Sequence, residues 1–217
     1  MSKGMSKGDA RGVSAPEDVC LEAGAWHRWR MTDASFRPPP DAASLKEAAM
    51  RYVARYATTE AGLRFVLNRR IDRWARLTQD RDGVAERVAT AKAAIPAIVA
   101  RMTELGLVND AAFAESRARS LSLGGKSRRA ILAKLAVKGI GAEQARAALP
   151  EEGDGELVSA LVLARKRRIG PFRVTDAGDR NKEMAVLARA GFPRDVAARA
   201  LAMAEGEAEA AIIAARV

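Results

Sequence analysis

Apolar positions along this chain recur three and four apart, and few segments alternate with period two, so the pattern is that of helices each burying one face. The clearest stretch is residues 125–149, GKSRRAILAKLAVKGIGAEQARAAL. Ser127 is placed to cap a helix whose inner face carries Ile131, Leu132 and Leu135. Gly139 follows Lys138 and can end that helix in the left-handed conformation. Ile140 is an apolar plug, and a second short helix runs from about Ala142 to Leu149, before Pro150. The unit recurs 52 residues later, with Asp179, Met184, Leu187, Gly191, Phe192 and Leu201 in matching places. A weaker copy lies 69 residues earlier, with Thr58 as cap, Leu63 and Val66 as apolar positions and Ile71 as plug. Repeated caps and plugs at unequal spacing predict an α-helical array with three copies of one small unit, carrying insertions.

The remaining elements follow the same logic. Residues 1–43 read as a flexible N-terminal tail, with Trp26, His27, Arg28, Trp29 and Arg30 as its one conspicuous island and Pro38, Pro39 and Pro40 as an extended linker. Ser44 and Glu47 fit a capping box, and the first three-helix repeat spans residues 44–107. A kink or break is expected near Ala94 and Ile95, ahead of Pro96. The second repeat spans residues 108–152, opening on a helix capped by Asn109 or Asp110. The third spans residues 153–217, after an acidic linker, and its last segment adds a helical turn or frays.

Composition sharpens the picture. Hydrophobic residues make up 48% of the 217 residues, but alanine supplies much of that, which predicts a thin core and close helix packing. The net charge of +10 points to a polyanion or an acidic protein surface as partner. One cysteine, Cys20, allows no internal disulfide, and one histidine, His27, allows no His/Cys metal cluster within one chain. No apolar run approaches a membrane span and the N-terminus carries no secretory core; the expected location is the cytoplasm.

Catalysis has little material. No Ser/His/Asp set can be built on His27, and the stretch SLSLGGKS, Ser120 to Ser127, lacks the first glycine of a phosphate-binding loop and follows a helical rather than a strand pattern. Neither a cofactor nor a metal is expected, and the chain reads as a binding protein rather than an enzyme. Its specific signal is basic: Arg117 and Arg119 on one helix, Lys126, Arg128, Arg129, Lys134 and Lys138 on the next, and Arg165, Lys166, Arg167 and Arg168 at a later helix end. The plainer alternatives are snorkelling surface residues and, for the last group, favourable interaction with the helix dipole.

Residues 106–114, GLVNDAAFA, then Arg117, then GKSRRAI and finally Leu135 with Lys138, Gly139 and Ile140 resemble the RecX family, bacterial modulators of the RecA recombinase. The match departs from the family pattern at Asn109, where Asp is more usual, and at Leu107, where an aromatic residue is. The resemblance implies three tandem three-helix units in an elongated, curved array. It implies binding along the groove of the RecA–single-stranded DNA filament by a non-catalytic modulator that slows ATP hydrolysis, strand exchange and coprotease activity or destabilises the filament; contact with single-stranded DNA is expected directly or through RecA, and the expected state is a monomer. The alternative is a direct DNA-binding protein with helix–turn–helix-like corners.

Overall fold

A computed structural model describes residues 39–78, 82–149, 154–174 and 179–215, and every regular element among them is helical. The Trp26–Trp29 island, Cys20 and His27 lie outside the described residues, as does most of the acidic linker.

The first three helices are α1 (Ala42–Val53), α2 (Glu60–Leu77) and α3 (Val84–Glu104). They close one cluster, with Leu45 and Ala49 from α1, Leu63, Leu67 and Ile71 from α2, and Ile95, Val99 and Met102 from α3. The next three are α4 (Asp110–Leu123), α5 (Arg128–Val137) and α6 (Ala142–Ala147). They close a second around Ala114, Ala118, Ile131, Leu135, Ile140 and Ala145. The last are α7 (Asp154–Arg167), a 3-10 turn (Gly170–Phe172), α8 (Arg180–Arg189), α9 (Arg194–Ala202) and α10 (Glu205–Ala214). Leu157, Leu161, Leu187, Phe192, Leu201 and Ile212 anchor their cluster.

The corners work as their glycines require. Gly139 has φ 81° and Gly191 φ 90°. Behind them the Ile140 N–H returns to Leu135 O and the Phe192 N–H to Leu187 O, both at 3.2 Å, the six-to-one bond that closes a helix on an αL residue. Ile140 and Phe192 are each 4% exposed, so both plugs seal their units. Arg168, at φ 54°, takes the same left-handed place at the end of α7, where no glycine stands.

Several local expectations are corrected. Asp41, not Ser44, caps α1: its carboxylate accepts from the Ser44 N–H at 2.8 Å, and Glu47 pairs with Arg51 instead of reaching back. Thr59, not Thr58, caps α2. This shifts the first repeat by one residue, so Leu63 and Leu67 stand where Ile131 and Leu135 stand, and Val66 is only half-buried. Ile71 is buried inside a helix that continues to Leu77, not a plug beyond a corner. Helix α3 runs unbroken through Pro96. Pro96 is exposed, on the side of α3 away from the core, while Ile95, Ile98 and Val99 hold both sides of it to the core. The final segment is a whole helix, α10, that buries Ala208 and Ile212.

Candidate functional site

The second helices of the three clusters meet end to end through a junction that occurs twice. At the start of α5, Ser127 Oγ accepts the Ala130 N–H and donates to Ala190 O, the C-cap carbonyl of α8, at 2.7 Å. At the start of α2, Thr59 Oγ1 accepts the Gly62 N–H and donates to Lys138 O, the C-cap carbonyl of α5, also at 2.7 Å. The next N–H is served in parallel. That of Arg128 goes to Glu156 Oε1 of α7, and that of Glu60 to Asp110 Oδ1 of α4. The left-handed glycines sit in these joints: a Cβ on Gly139 would lie 2.2 Å from Ala61 Cβ, and one on Gly191 would lie 2.8 Å from Ser127 Oγ. One physical device is therefore used twice. A hydroxyl can cap its own helix and still donate to a neighbour; a carboxylate cannot.

At the outer end of the row, α8 is capped by Asp179, whose carboxylate accepts from the Asn181 and Lys182 N–H groups. Those bonds, the Lys182 N–H first, hold its pKa below the ordinary aspartate value. The Ser44 N–H does the same for Asp41.

This row arranges the basic residues. On α5, Arg129, Lys134 and Lys138 are exposed and have no carboxylate partner among the described residues. Arg128 is half-buried and engaged in further interactions. Lys138 is the C-cap of α5 at the joint with α2, and the Arg129 stem lies over Gly191 at the joint with α8. Lys166 Nζ donates to Gly124 O at 2.7 Å, so this lysine caps the end of α4 from α7. That bond brings Lys166 to the corner that carries exposed Lys126. Arg165 is half-buried, whereas Arg167 and Arg168 are exposed at the same end of α7. Arg117 and Arg119 are exposed, but two positions on a helix differ by about 200°, so they flank buried Ala118 on opposite sides and share no face.

Two sets of cations escaped the sequence reading. Helix α2 carries Arg64, Arg69, Arg70, Arg73 and Arg76. Its two carboxylates are engaged, Glu60 with Arg64 and Asp72 with Lys92 at 2.8 Å. Helix α8 carries Arg180, Lys182 and Arg189. In the register set by Thr59, Ser127 and Asp179, only Arg70 and Arg180 fall on basic positions of α5, those of Lys138 and Arg128. The repeat therefore gave little signal for them; they were legible only as basic residues on helical stretches.

Nothing else in the described residues is organised for chemistry. No group of His, Cys, Asp and Glu there could hold a metal ion, and no helix there is long and apolar enough to cross a membrane. The SLSLGGKS stretch is the end of α4 and its corner rather than a strand and phosphate loop. Gly125 is pressed against α7, where an added Cβ would lie 3.0 Å from Leu163 N, and Ser122 and Ser159 hydroxyls meet at 2.7 Å. The room a phosphate would need is filled.

The described residues form an all-helical fold whose organised surface feature is a cationic row of helices. Residues 109–149 match the family model described as RecX, second three-helix domain. The chain is 37% identical over 162 residues to "Regulatory protein RecX" of Myxococcus xanthus, covering 72% of this chain and 83% of that one. Identity to the protein of the same name from Agrobacterium fabrum is 41% over 104 residues, 47% of this chain and 55% of that one. The crystal structure of RecX from Lactobacillus salivarius shares the fold, with TM-score 0.53 and 23% identity over 74% of this chain and 94% of that one. The chain belongs to the RecX family of regulatory proteins.

Proposed function

We propose that this protein binds the RecA–single-stranded DNA filament and inhibits its ATP hydrolysis, strand exchange and coprotease activity, acting by binding alone. The observation that carries the reading is the row α8, α5, α2 in a chain of this family: three cationic helices joined end to end by one repeated device. Such a row suits a periodic partner, because many weak contacts spaced along one line add as avidity. In this reading residues 44–107, 108–152 and 153–217 act as three tandem units of a cytoplasmic monomer. Arg129, Lys134 and Lys138 are the central contacts, with Lys126, Arg128, Lys166, Arg167 and Arg168 beside them. Arg117, Arg119 and Arg165 contribute from the flanks.

The test is RecA ATP hydrolysis on single-stranded DNA with this protein titrated from well below the RecA concentration to parity. Inhibition at low ratio is expected. Arg129→Glu with Lys134→Glu and Lys138→Glu should preserve helicity and weaken that inhibition at least tenfold. Unchanged inhibition by the triple variant would remove the α5 surface from the contact. Binding of naked duplex DNA with no effect on RecA would favour a helix–turn–helix reader instead, although the helix placed to read bases, Ala142–Ala147, is only six residues long.

A further inference from the structure

Phe65 stands on the outer face of α2 with 65% of its surface exposed, on a helix whose inner face is fully used by Leu63, Leu67 and Ile71. The internal repeat tests whether the fold needs a large side chain there. With Thr59 and Ser127 superposed in register, Phe65 corresponds to Ala133 of α5, and through Asp179 to Ala185 of α8. Both helices pack and cap as α2 does with alanine in that place, so nothing in the architecture calls for a ring.

Its surroundings point to a ligand. Residues four apart lie on one face of a helix, about 6 Å from one to the next. Each such step turns about 40°, so Phe65, Arg69 and Arg73 span about 80° of the outer surface of α2, with Ala61 one step before them and Leu77 one step beyond. Ala61 sits against the Gly139 corner and so beside Lys138. Arg69 and Arg73 are exposed with no carboxylate partner among the described residues, and Leu77 is 70% exposed. An aromatic ring followed by two arginines, with a lysine near one end and the adjacent Asp72 carboxylate held by Lys92, offers a flat π-face and phosphate-binding groups side by side. That is the combination single-stranded nucleic acid binds without reading sequence: bases stack and the backbone follows the cations. A duplex keeps its bases stacked on each other and presents no free face.

We infer that this stripe of α2 binds single-stranded DNA directly, with a base stacked on Phe65 and neighbouring phosphates held by Arg69, Arg73 and Lys138. The inference rests on the filament-binding reading and extends it, since it assigns part of the contact to the DNA rather than to the recombinase.

The experiment compares the full chain with its Phe65→Ala variant on two probes of equal length, a fluorescein-labelled oligothymidylate and its abasic counterpart. Phe65 is exposed, so the variant should melt with the parent. Expected is at least about fivefold weaker binding to the oligothymidylate, an unchanged salt slope, and no loss on the abasic strand. Arg69→Ala should weaken both probes and lower the salt slope by about one. Equal losses on the two probes, or none on either, would overturn the stacking. So would a Phe65→Ala variant that binds oligothymidylate normally but loses the RecA filament, because the ring then docks on protein. The RecA ATPase titration with the parent chain reports separately on the wider reading, so loss of one leaves the other measurable.

Discussion

Ser127 is the sharpest test of the repeated junction. Its side chain is fully buried, accepts the Ala130 N–H and donates to Ala190 O. Ser127→Ala removes both bonds. Loss of the cap costs about 1 kcal/mol. Loss of the bridging bond costs about 1 kcal/mol more, rising toward ~2 if the Ala190 carbonyl is left without water. Together they predict about 2–3 kcal/mol, measured by urea denaturation of the full chain. A decrease of that size alone would also follow from a purely local cap, so the deciding variant is Ser127→Asp. Aspartate caps isolated helices at least as well as serine, but its carboxylate has no proton to give and would face the Ala190 carbonyl oxygen. Ser127→Asp should therefore be no more stable than Ser127→Ala. A Ser127→Asp variant as stable as the parent would refute the argument that the hydroxyl's second bond holds α8 to α5.

Three further outcomes follow from the same geometry. Gly139→Ala should cost clearly more than Gly106→Ala in denaturation: both need positive φ, worth about 1–2 kcal/mol, but only Gly139 would set its new Cβ against Ala61, whereas Gly106 has nothing within 4 Å. Glu183, 6% exposed and 2.7 Å from Arg173, should show coupling to it in a double-mutant cycle, with Glu183→Ala alone costing about 2 kcal/mol, discounted from the fully buried case because Arg173 keeps 32% of its side chain in water. Acid should weaken the chain through its carboxylate caps. The pKa values of Asp41 and Asp179 are lowered in the folded state, so their contribution is present above the ordinary aspartate value of about 3.9 and lost as pH falls below it. Asp179→Asn should flatten that part of a stability-against-pH curve.

Much of this architecture was legible in the chain because its signals are local. A glycine after a helical run, an apolar plug and a capping residue are contained within a few positions, so the corners at Gly139 and Gly191 could be read with their plugs. What escaped reading depends on residues far away in sequence. Thr58 and Thr59 are equally good caps by type; Thr59 is selected by Lys138 O, 79 residues on. Glu183 occupies the place that Ile131 fills in α5, and no periodicity announces a carboxylate there. It is held by Arg173, which approaches from the turn after α7. Asp110 reads as a second candidate cap, yet its carboxylate serves the Glu60 N–H across the joint while Asn109 does the capping. The basic residues of α5 were visible as a charge cluster. Those of α2 stand at other positions of the repeat, only Arg70 coinciding with Lys138, so the repeat did not announce them.

The choice of cap also explains why the row has three helices and then stops. Each internal joint needs a hydroxyl at the N-terminus of one helix and a short, glycine-closed C-terminus on the next. At one end, α8 begins with Asp179, which satisfies its own helix but cannot donate to an incoming carbonyl. At the other end, α2 lacks the glycine corner and continues through Ile71 and Trp74 to Leu77, both of the first two buried in its own unit. Neither end can repeat the joint, so a second copy of the chain cannot extend the row by the same contacts. Those terminal substitutions keep the two α2 turns beyond Ile71 free of a neighbouring unit, and these are the turns that carry Arg73, Arg76 and Leu77 outward. The residues that close the array are thus the ones that lengthen its cationic face.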